Sequence, residues 1–322
     1  MRTAETSLWR TRVRGSLLLA ACADALGSAF EGRRGLSPEQ VAAAVDRPQS
    51  PLRWTDDTAQ MLVLAAHLAE HGGLVASDAL AAAFADEWSA EPWRGYGPGA
   101  AQLLSQIATG VPWRVAGRSL FDGAGSLGNG AAMRVAPVGL ITGWGLDAVA
   151  SAAVASALVT HVHPEGIDGA VAQALAVALA ARTPRRQRPS AEELIGAIAS
   201  RTATAAFTAE LEAIPALLDG PAGAISDRFR CDATALGAVP AAITVFLRYP
   251  DDPAAAVKEA IGLGGDTDTI AAMAAAMCGA HCGDSAVPAS WAAQLEQPER
   301  VRAAADRLAT LESRRYLGEA DA

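Results

Sequence analysis

Apolar residues along this chain recur at helical spacing, and few stretches alternate as strands do. Leu17–Cys22, Met61–Leu68, Ala79–Ala85, Val149–Val159, Gly169–Ala181 and Ala271–Ala280 are mainly apolar runs rich in small residues or leucine. Alanine favours helices, and the β-branched and aromatic clusters that mark strands are nearly absent. The pattern predicts a first helix over residues 15–30 and a loop-rich excursion over 32–51 with a short helical piece near 38–45. Trp54 then leads into the first acidic cluster and its helix, which Gly72-Gly73 stops. Ser77-Asp78 caps the next one, which runs to about Trp88. A glycine- and proline-containing stretch from Glu91 to Gly99 precedes a helix to about Thr109. Phe121–Gly130 is the most glycine-dense loop, followed by a helix carrying Met133 and Arg134. Further helices reach about Ala181, and Pro184–Arg188 reads as a basic surface turn. Because helical pattern resumes directly after that turn, the expectation is one compact all-α domain.

Composition narrows this further. Hydrophobic residues make up 51% of the 322 positions and aromatics only 5%, so helix axes can approach closely over small side chains. The formal net charge of −9 argues against non-specific binding to nucleic acid. Cys22, Cys231, Cys278 and Cys282 are too sparse for a disulfide framework. Cys278, His281 and Cys282 share a helical segment, but no motif offers the fourth ligand that a structural zinc site needs, so they read as buried helix residues. Near the N-terminus, Arg10, Arg12 and Arg14 precede a short apolar stretch ending at Cys22, which imitates an export signal. Asp24, Gly27 and Glu31 continue it as an amphipathic helix, which favours a core helix. Gly169–Ala181 is too short to span a membrane.

Two acidic clusters carry the chemistry. Thr55-Asp56-Asp57-Thr58 precedes one apolar run, and Gly264-Gly265-Asp266-Thr267-Asp268-Thr269 precedes another. Asp and Thr are preferred N-caps, and Asp in a first turn gains from the helix dipole. Capping uses one oxygen, however, whereas each cluster supplies several. Adjacent carboxylates repel, and a hard divalent cation is a reason to keep them together. The loop Phe121–Gly130 can bring backbone N–H groups close to an anion. It lacks the Gly-Lys-Ser/Thr ending of a P-loop and follows no strand.

Taken in order, these motifs resemble the ADP-ribosylglycohydrolase family, over about residues 15–283. Gly15 through Asp24-Ala25-Leu26-Gly27 to Glu31 is similar to its opening helix and glutamate loop. Thr55-Asp56-Asp57-Thr58 matches its first metal motif and Gly265-Asp266-Thr267-Asp268-Thr269 its second. Phe121–Arg134 resembles its substrate loop, and His161 matches a histidine of the pattern. The resemblance implies a single helical domain over 15–315, an N-terminal extension (1–14) and a C-terminal tail (316–322). It further implies a central cleft with two Mg²⁺ or Mn²⁺ ions, held by Thr55, Asp56, Asp57, Asp266, Asp268 and Thr269. Glu31, Asp57 and Asp268 are then the expected catalytic residues. Phe121, Gly125, Ser126, Leu127, Gly128, Asn129 and His161 are the expected substrate contacts, with Leu127 standing where some animal members carry a tyrosine.

The activity implied is metal-dependent hydrolysis of the C1″ glycosidic bond of an ADP-ribosylated protein or small molecule, releasing ADP-ribose, in the cytoplasm and away from membranes. A catalytically silent ADP-ribose binder is the alternative, although every motif carboxylate is present. Helical terpenoid synthases also pair aspartates around Mg²⁺. Their motifs do not match Asp56-Asp57-Thr58-Ala59-Gln60, and so few aromatics suit carbocations poorly.

Overall fold

The computed structural model describes residues 2–141 and 145–317. Among them there is no β-strand, and eighteen α-helices account for the fold. They are α1 (Arg2–Gly27), α2 (Pro38–Asp46), α3 (Asp56–Glu70), α4 (Ser77–Ala90), α5 (Pro98–Ala108), α6 (Trp113–Ser119), α7 (Gly130–Met133), α8 (Ala136–Gly139) and α9 (Leu146–Leu158). The second half holds α10 (Pro164–Arg182), α11 (Ala191–Ala199), α12 (Ala205–Ala213), α13 (Ala222–Phe229), α14 (Ala235–Arg248), α15 (Pro253–Gly262), α16 (Thr267–Cys282), α17 (Ala289–Gln294) and α18 (Pro298–Leu317). One continuous apolar core joins them, as expected for an all-α domain.

The centre of that core is the pair α1 and α16. Every residue of α16 is buried, and alanine dominates it. Glycines let the two backbones touch. A Cβ on Gly279 would lie 2.2 Å from the Gly15 carbonyl oxygen, and one on Gly15 would lie 2.4 Å from Gly283 C. Next to this contact the Ser16 hydroxyl donates to the Ala276 carbonyl at 2.9 Å. At the other end of α1, a Cβ on Gly27 would lie 2.5 Å from Asp268 Cα, and Thr267 Oγ1 donates to the Gly27 carbonyl at 2.9 Å. The crossing is therefore fixed at both ends.

Two boundaries differ from the sequence expectation. α1 starts at Arg2 rather than near Gly15, and the turn just before Gly15 is anchored by side-chain partners. Arg12 donates to the carbonyls of Ala181 and Thr183, and Arg14 pairs with Asp306 at 2.6 Å. By length and composition Ser7–Phe30 could cross a membrane, but 83% of that window is buried inside the protein. Residues 130–139 do not form one helix. Pro137 cannot donate a backbone hydrogen bond, and Arg134 ends the one-turn α7 rather than lying within it. Of the expected C-terminal tail, residues 318–322 lie outside the described residues.

The glycine contact yields a direct test. Gly279→Ala places a methyl group against backbone that cannot yield locally, so the helices must separate. Overpacking of this kind costs about 1–3 kcal/mol, more than the roughly 1 kcal/mol that alanine gains over glycine in a helix. A lower urea midpoint at unchanged m-value is expected; an unchanged midpoint would show that the crossing is not close-packed.

Candidate metal and substrate cleft

The two acidic motifs meet because α1 touches both helices that carry them. Asp24, fully buried on α1, accepts hydrogen bonds from the backbone N–H groups of Thr55 (3.0 Å) and Thr58 (3.2 Å) and from Thr58 Oγ1 (2.5 Å). A side chain from another helix thus supplies part of the α3 N-cap, while Thr55 Oγ1 accepts from Asp57 N at 3.3 Å. Trp54 anchors the same motif from outside. Its ring lies beneath the Arg94 guanidinium at 3.7 Å, and its carbonyl accepts from Arg94 Nη1 at 3.0 Å. The Arg94 carbonyl in turn receives Asp56 N at 2.8 Å.

The second motif is held by glycine turns. Gly264 and Gly265 have φ of 72° and 78°, where glycine alone is unstrained. Gly32 N donates to the Gly265 carbonyl and Gly265 N to the Arg33 carbonyl, both at 2.8 Å, which seats the Glu31 loop on the motif. Asp266 N donates to the Cys231 carbonyl at 3.0 Å.

The result is a cluster of carboxylates at the floor of a cleft of about 280 Å³. Asp56, Asp57 and Asp268 are buried, Asp266 is half-buried and Glu31 stands exposed at the rim. Oxygens of Glu31, Asp266 and Asp268 lie within 4.8 Å of one another. Burial followed by repulsion from Asp24 pushes Asp56 up to about 7, and burial with repulsion from Asp266 pushes Asp268 up to about 9. Asp57 is raised well above the usual range by burial and then by Asp24, Asp268, Asp56 and Asp266. Burial and Asp266 also raise Glu31. Asp57 Oδ2 is buried with no hydrogen-bond partner. An orphaned carboxylate oxygen among repelling neighbours, with only oxygen donors around it, fits cations of the Mg²⁺ or Mn²⁺ class. Thr269, also buried, lines this floor with the four aspartates, whereas Thr55, next to Asp56 in the chain, lies outside the lining.

The facing wall comes from residues 120–134. Phe121, Ser126, Gly128 and Asn129 line the cleft, with Phe121 62% exposed at a φ of 52°. Asn129 Nδ2 donates to Asp266 Oδ2 at 2.6 Å and so couples this wall to the acidic floor. Gly125 and Leu127 lie outside the lining. A Cβ on Gly125 would meet Val162 Cγ2 at 2.2 Å, and Leu127 turns outward while its carbonyl accepts from Ala235 N at 3.0 Å. Both contacts help to fix the path of the loop. Gly95, Gly97, Gly99 and Leu103 complete the side opposite.

Behind the wall runs a buried chain of hydrogen bonds that the sequence did not single out. Gln60 Nε2 donates to Asp56 Oδ2 at 2.9 Å, and Arg134 Nη1 donates to Gln60 Oε1 at 2.7 Å. Arg134 Nη2 donates to Thr160 Oγ1 at 2.7 Å, and Thr160 Oγ1 lies 2.7 Å from His161 Nδ1. Burial, reinforced by Arg134, pushes His161 down to about 3, so its ring is neutral. Burial likewise lowers Arg134 to about 9, though Asp56 opposes the shift. Gln60 follows Asp56 by one helical turn, a spacing that could have marked it. Thr160 carries no such signal. A wider groove of about 540 Å³ between α3, α4 and α18 contains His67, His71 and Arg300 but no comparable convergence.

A sequence model described as ADP-ribosylglycohydrolase matches residues 5–318. ADP-ribosylhydrolase ARH3 of Gallus gallus is 33% identical over 340 residues, covering 92% of each chain. The Homo sapiens ARH3 is 31% identical, covering 90% of this chain and 91% of its own. A solved ADP-ribosylglycohydrolase-related protein complex superposes with a TM-score of 0.74 at 27% identity, over 95% of this chain and 99% of that one.

The raised carboxyls set the pH behaviour. A carboxyl whose folded pKa lies above the ordinary value of about 4 binds its proton more tightly folded than unfolded. In EDTA, their contribution therefore makes stability fall as pH rises from that value through about 7 and about 9, where Asp56 and Asp268 titrate. A divalent cation opposes this penalty. The rise in Tm produced by Mg²⁺ should accordingly be larger at about pH 8 than at about pH 5.5; equal rises in differential scanning fluorimetry would contradict the assignment.

Proposed function

The chain belongs to the ADP-ribosylglycohydrolase family, and from that premise we propose that it hydrolyses the C1″ glycosidic bond of ADP-ribosylated acceptors with the help of two Mg²⁺ or Mn²⁺ ions. The observation that carries this reading is the orphaned, buried Asp57 Oδ2 among Asp56, Asp266 and Asp268, facing the Asn129 and His161 wall across one cleft. Thr55, Asp56, Asp57, Asp266, Asp268 and Thr269 would hold the ions. When bound, divalent cations orient ribose hydroxyls or water and stabilise developing negative charge.

The protein's own groups divide the remaining work. Glu31 stands at the rim beside Asp266 and Asp268, exposed enough to meet a substrate. Its raised pKa suits a carboxylate that takes a proton from water or a ribose hydroxyl. Water adds at C1″, the bond from C1″ to the acceptor nitrogen or oxygen breaks, and the departing acceptor takes a proton. Ser126, Gly128 and Asn129 offer a small polar surface for the diphosphate or distal ribose. Phe121 presents an exposed ring on which adenine can stack. The neutral His161 would contribute as a hydrogen-bonding group without adding charge. An intact carboxylate set is of little use to a silent binder, so turnover is the reading favoured.

The test is ADP-ribose release from arginine-linked and serine-linked peptides, in Mg²⁺, Mn²⁺ or EDTA. Wild type should turn over at least one of them, EDTA should abolish release, and Asp268→Ala should reduce kcat by about 10²–10⁴-fold, the range associated with a positioned catalytic group. Release that survives both EDTA and Asp268→Ala would overturn the proposal. ADP-ribose binding without turnover on either linkage would favour the silent binder.

A further inference from the structure

The opposite end of α16 carries a second cluster of different chemistry. His281 is fully buried, and neither of its ring nitrogens completes a hydrogen bond. Nε2 lies 3.2 Å from Asp251 Oδ1, and the Ala180 carbonyl is also near enough to make the ring more basic. Cys282 Sγ is 4.0 Å from the same Asp251 oxygen and 3.3 Å from the Pro250 carbonyl. An imidazole nitrogen, a sulfur and a carboxylate oxygen thus lie within 4.8 Å of one another. Asp251 is 64% exposed, which opens the cluster to solvent.

We propose that Asp251, His281 and Cys282 form a site for one borderline transition-metal cation of the zinc class, with water or another external ligand at the fourth position. The mixed N, S and O donor set suits such an ion and disfavours Mg²⁺. Donors around tetrahedral zinc stand about 3.3–3.7 Å apart. The His281–Asp251 spacing of 3.2 Å is already close to that, the Cys282–Asp251 spacing of 4.0 Å has a few tenths of an ångström to close, and all three donors lie within 4.8 Å. From the sequence alone, Cys278 was the third candidate and no further ligand was evident. The fold instead supplies Asp251 from the turn between α14 and α15, while Cys278 Sγ is directed to the Tyr249 carbonyl at 3.4 Å.

The charges are compatible with binding. Burial lowers the pKa of His281, leaving a neutral ring whose lone pair is free to ligate. Burial and Asp251 raise the Cys282 thiol to about 11, while Arg185 and Arg12 pull the other way. Forming the sulfur–metal bond therefore releases the thiol proton to solvent. A thiolate and a carboxylate then neutralise a dication. Thirteen residues separate Asp268 from His281 on one helix, a distance of about 20 Å, so this site is distinct from the acidic cleft and does not depend on its function. Occupation would pin the turn at Asp251 to the end of α16.

Co²⁺ titration of the full-length protein in excess Mg²⁺ tests this. Only a cysteine site gives a sulfur-to-cobalt charge-transfer band, since the cleft offers oxygen donors alone. The band should saturate at a single equivalent, be displaced by Zn²⁺, and persist in Asp268→Ala. Cys282→Ser should abolish it. Asp251→Asn, at an exposed position, should weaken Co²⁺ binding at least about tenfold, the lower end of what even ligand-orienting groups are worth. No band in wild type, a band retained in Cys282→Ser, or unchanged affinity in Asp251→Asn would each overturn the proposal.

Discussion

Everything in the acidic cleft depends on how closely α1 approaches α16. Gly15 and Gly279 bring backbone to backbone at one end, and Gly27 meets the first turn of α16 at the other. Asp24 sits one turn before Gly27 and reaches sideways to the first turn of α3. A single helix thereby sets the positions of both acidic motifs. Moving α1 outward by the width of a methyl group would change the separation of Asp57 and Asp268 and withdraw the Asp24 acceptor together. Small residues here perform the same task that large ones perform in a conventional core, through contact distance.

That geometry works against stability. Asp24, Asp56, Asp57 and Asp268 are each almost wholly buried, and each is raised by desolvation. Desolvation of a carboxylate costs several kcal/mol even after relaxation. The buried guanidinium closest in the hydrogen-bond network, Arg134, reaches Asp56 only through Gln60. Its own desolvation leaves little to spare, and Arg134 Nε has no hydrogen-bond partner. Local strain and repulsion concentrate where a ligand can relieve them, a pattern typical of functional sites. The same residues in a purely structural role would be better replaced by apolar ones.

The sequence made the helical class and the acidic motifs legible because both are local. Alanine-rich periodicity identifies helices, and consecutive carboxylates at a helix start are visible without a fold. Asp24 was visible too, but its capping of α3 was not, because no local pattern specifies an acceptor from another helix. The early start of α1 is not legible locally, because Arg12 and Arg14 imitate the basic flank of an export signal until Ala181, Thr183 and Asp306 come beside them. The family resemblance groups Gly125 and Leu127 with the wall, yet neither lines the cleft. Which loop residues face inward depends on contacts with Val162 and Ala235, far along the chain. Asp251 was invisible as a ligand for the same reason.

One segment shows how such distant contacts combine. Arg230 and Cys231 both adopt positive φ, 59° and 51°, an unfavourable conformation for residues with side chains. The turn they make sends the Cys231 carbonyl to Asp266 N and the Ala233 carbonyl to Asn129 N, each at 3.0 Å. Arg34, beyond the Glu31 loop, adds a hydrogen bond to the Arg230 carbonyl at 2.6 Å. A Cβ on Gly265 would stand 1.9 Å from the Cys231 oxygen, so the turn and the second acidic motif are in close contact. The second acidic motif, the facing wall and the Glu31 loop are therefore tied to one strained turn that supplies no carboxylate to the cleft floor. Strain there is tolerated because it registers three surfaces that no single helix can reach. The acidic motifs display their carboxylates, but their register against the facing wall is set by backbone carbonyls whose residue types give no hint of the role.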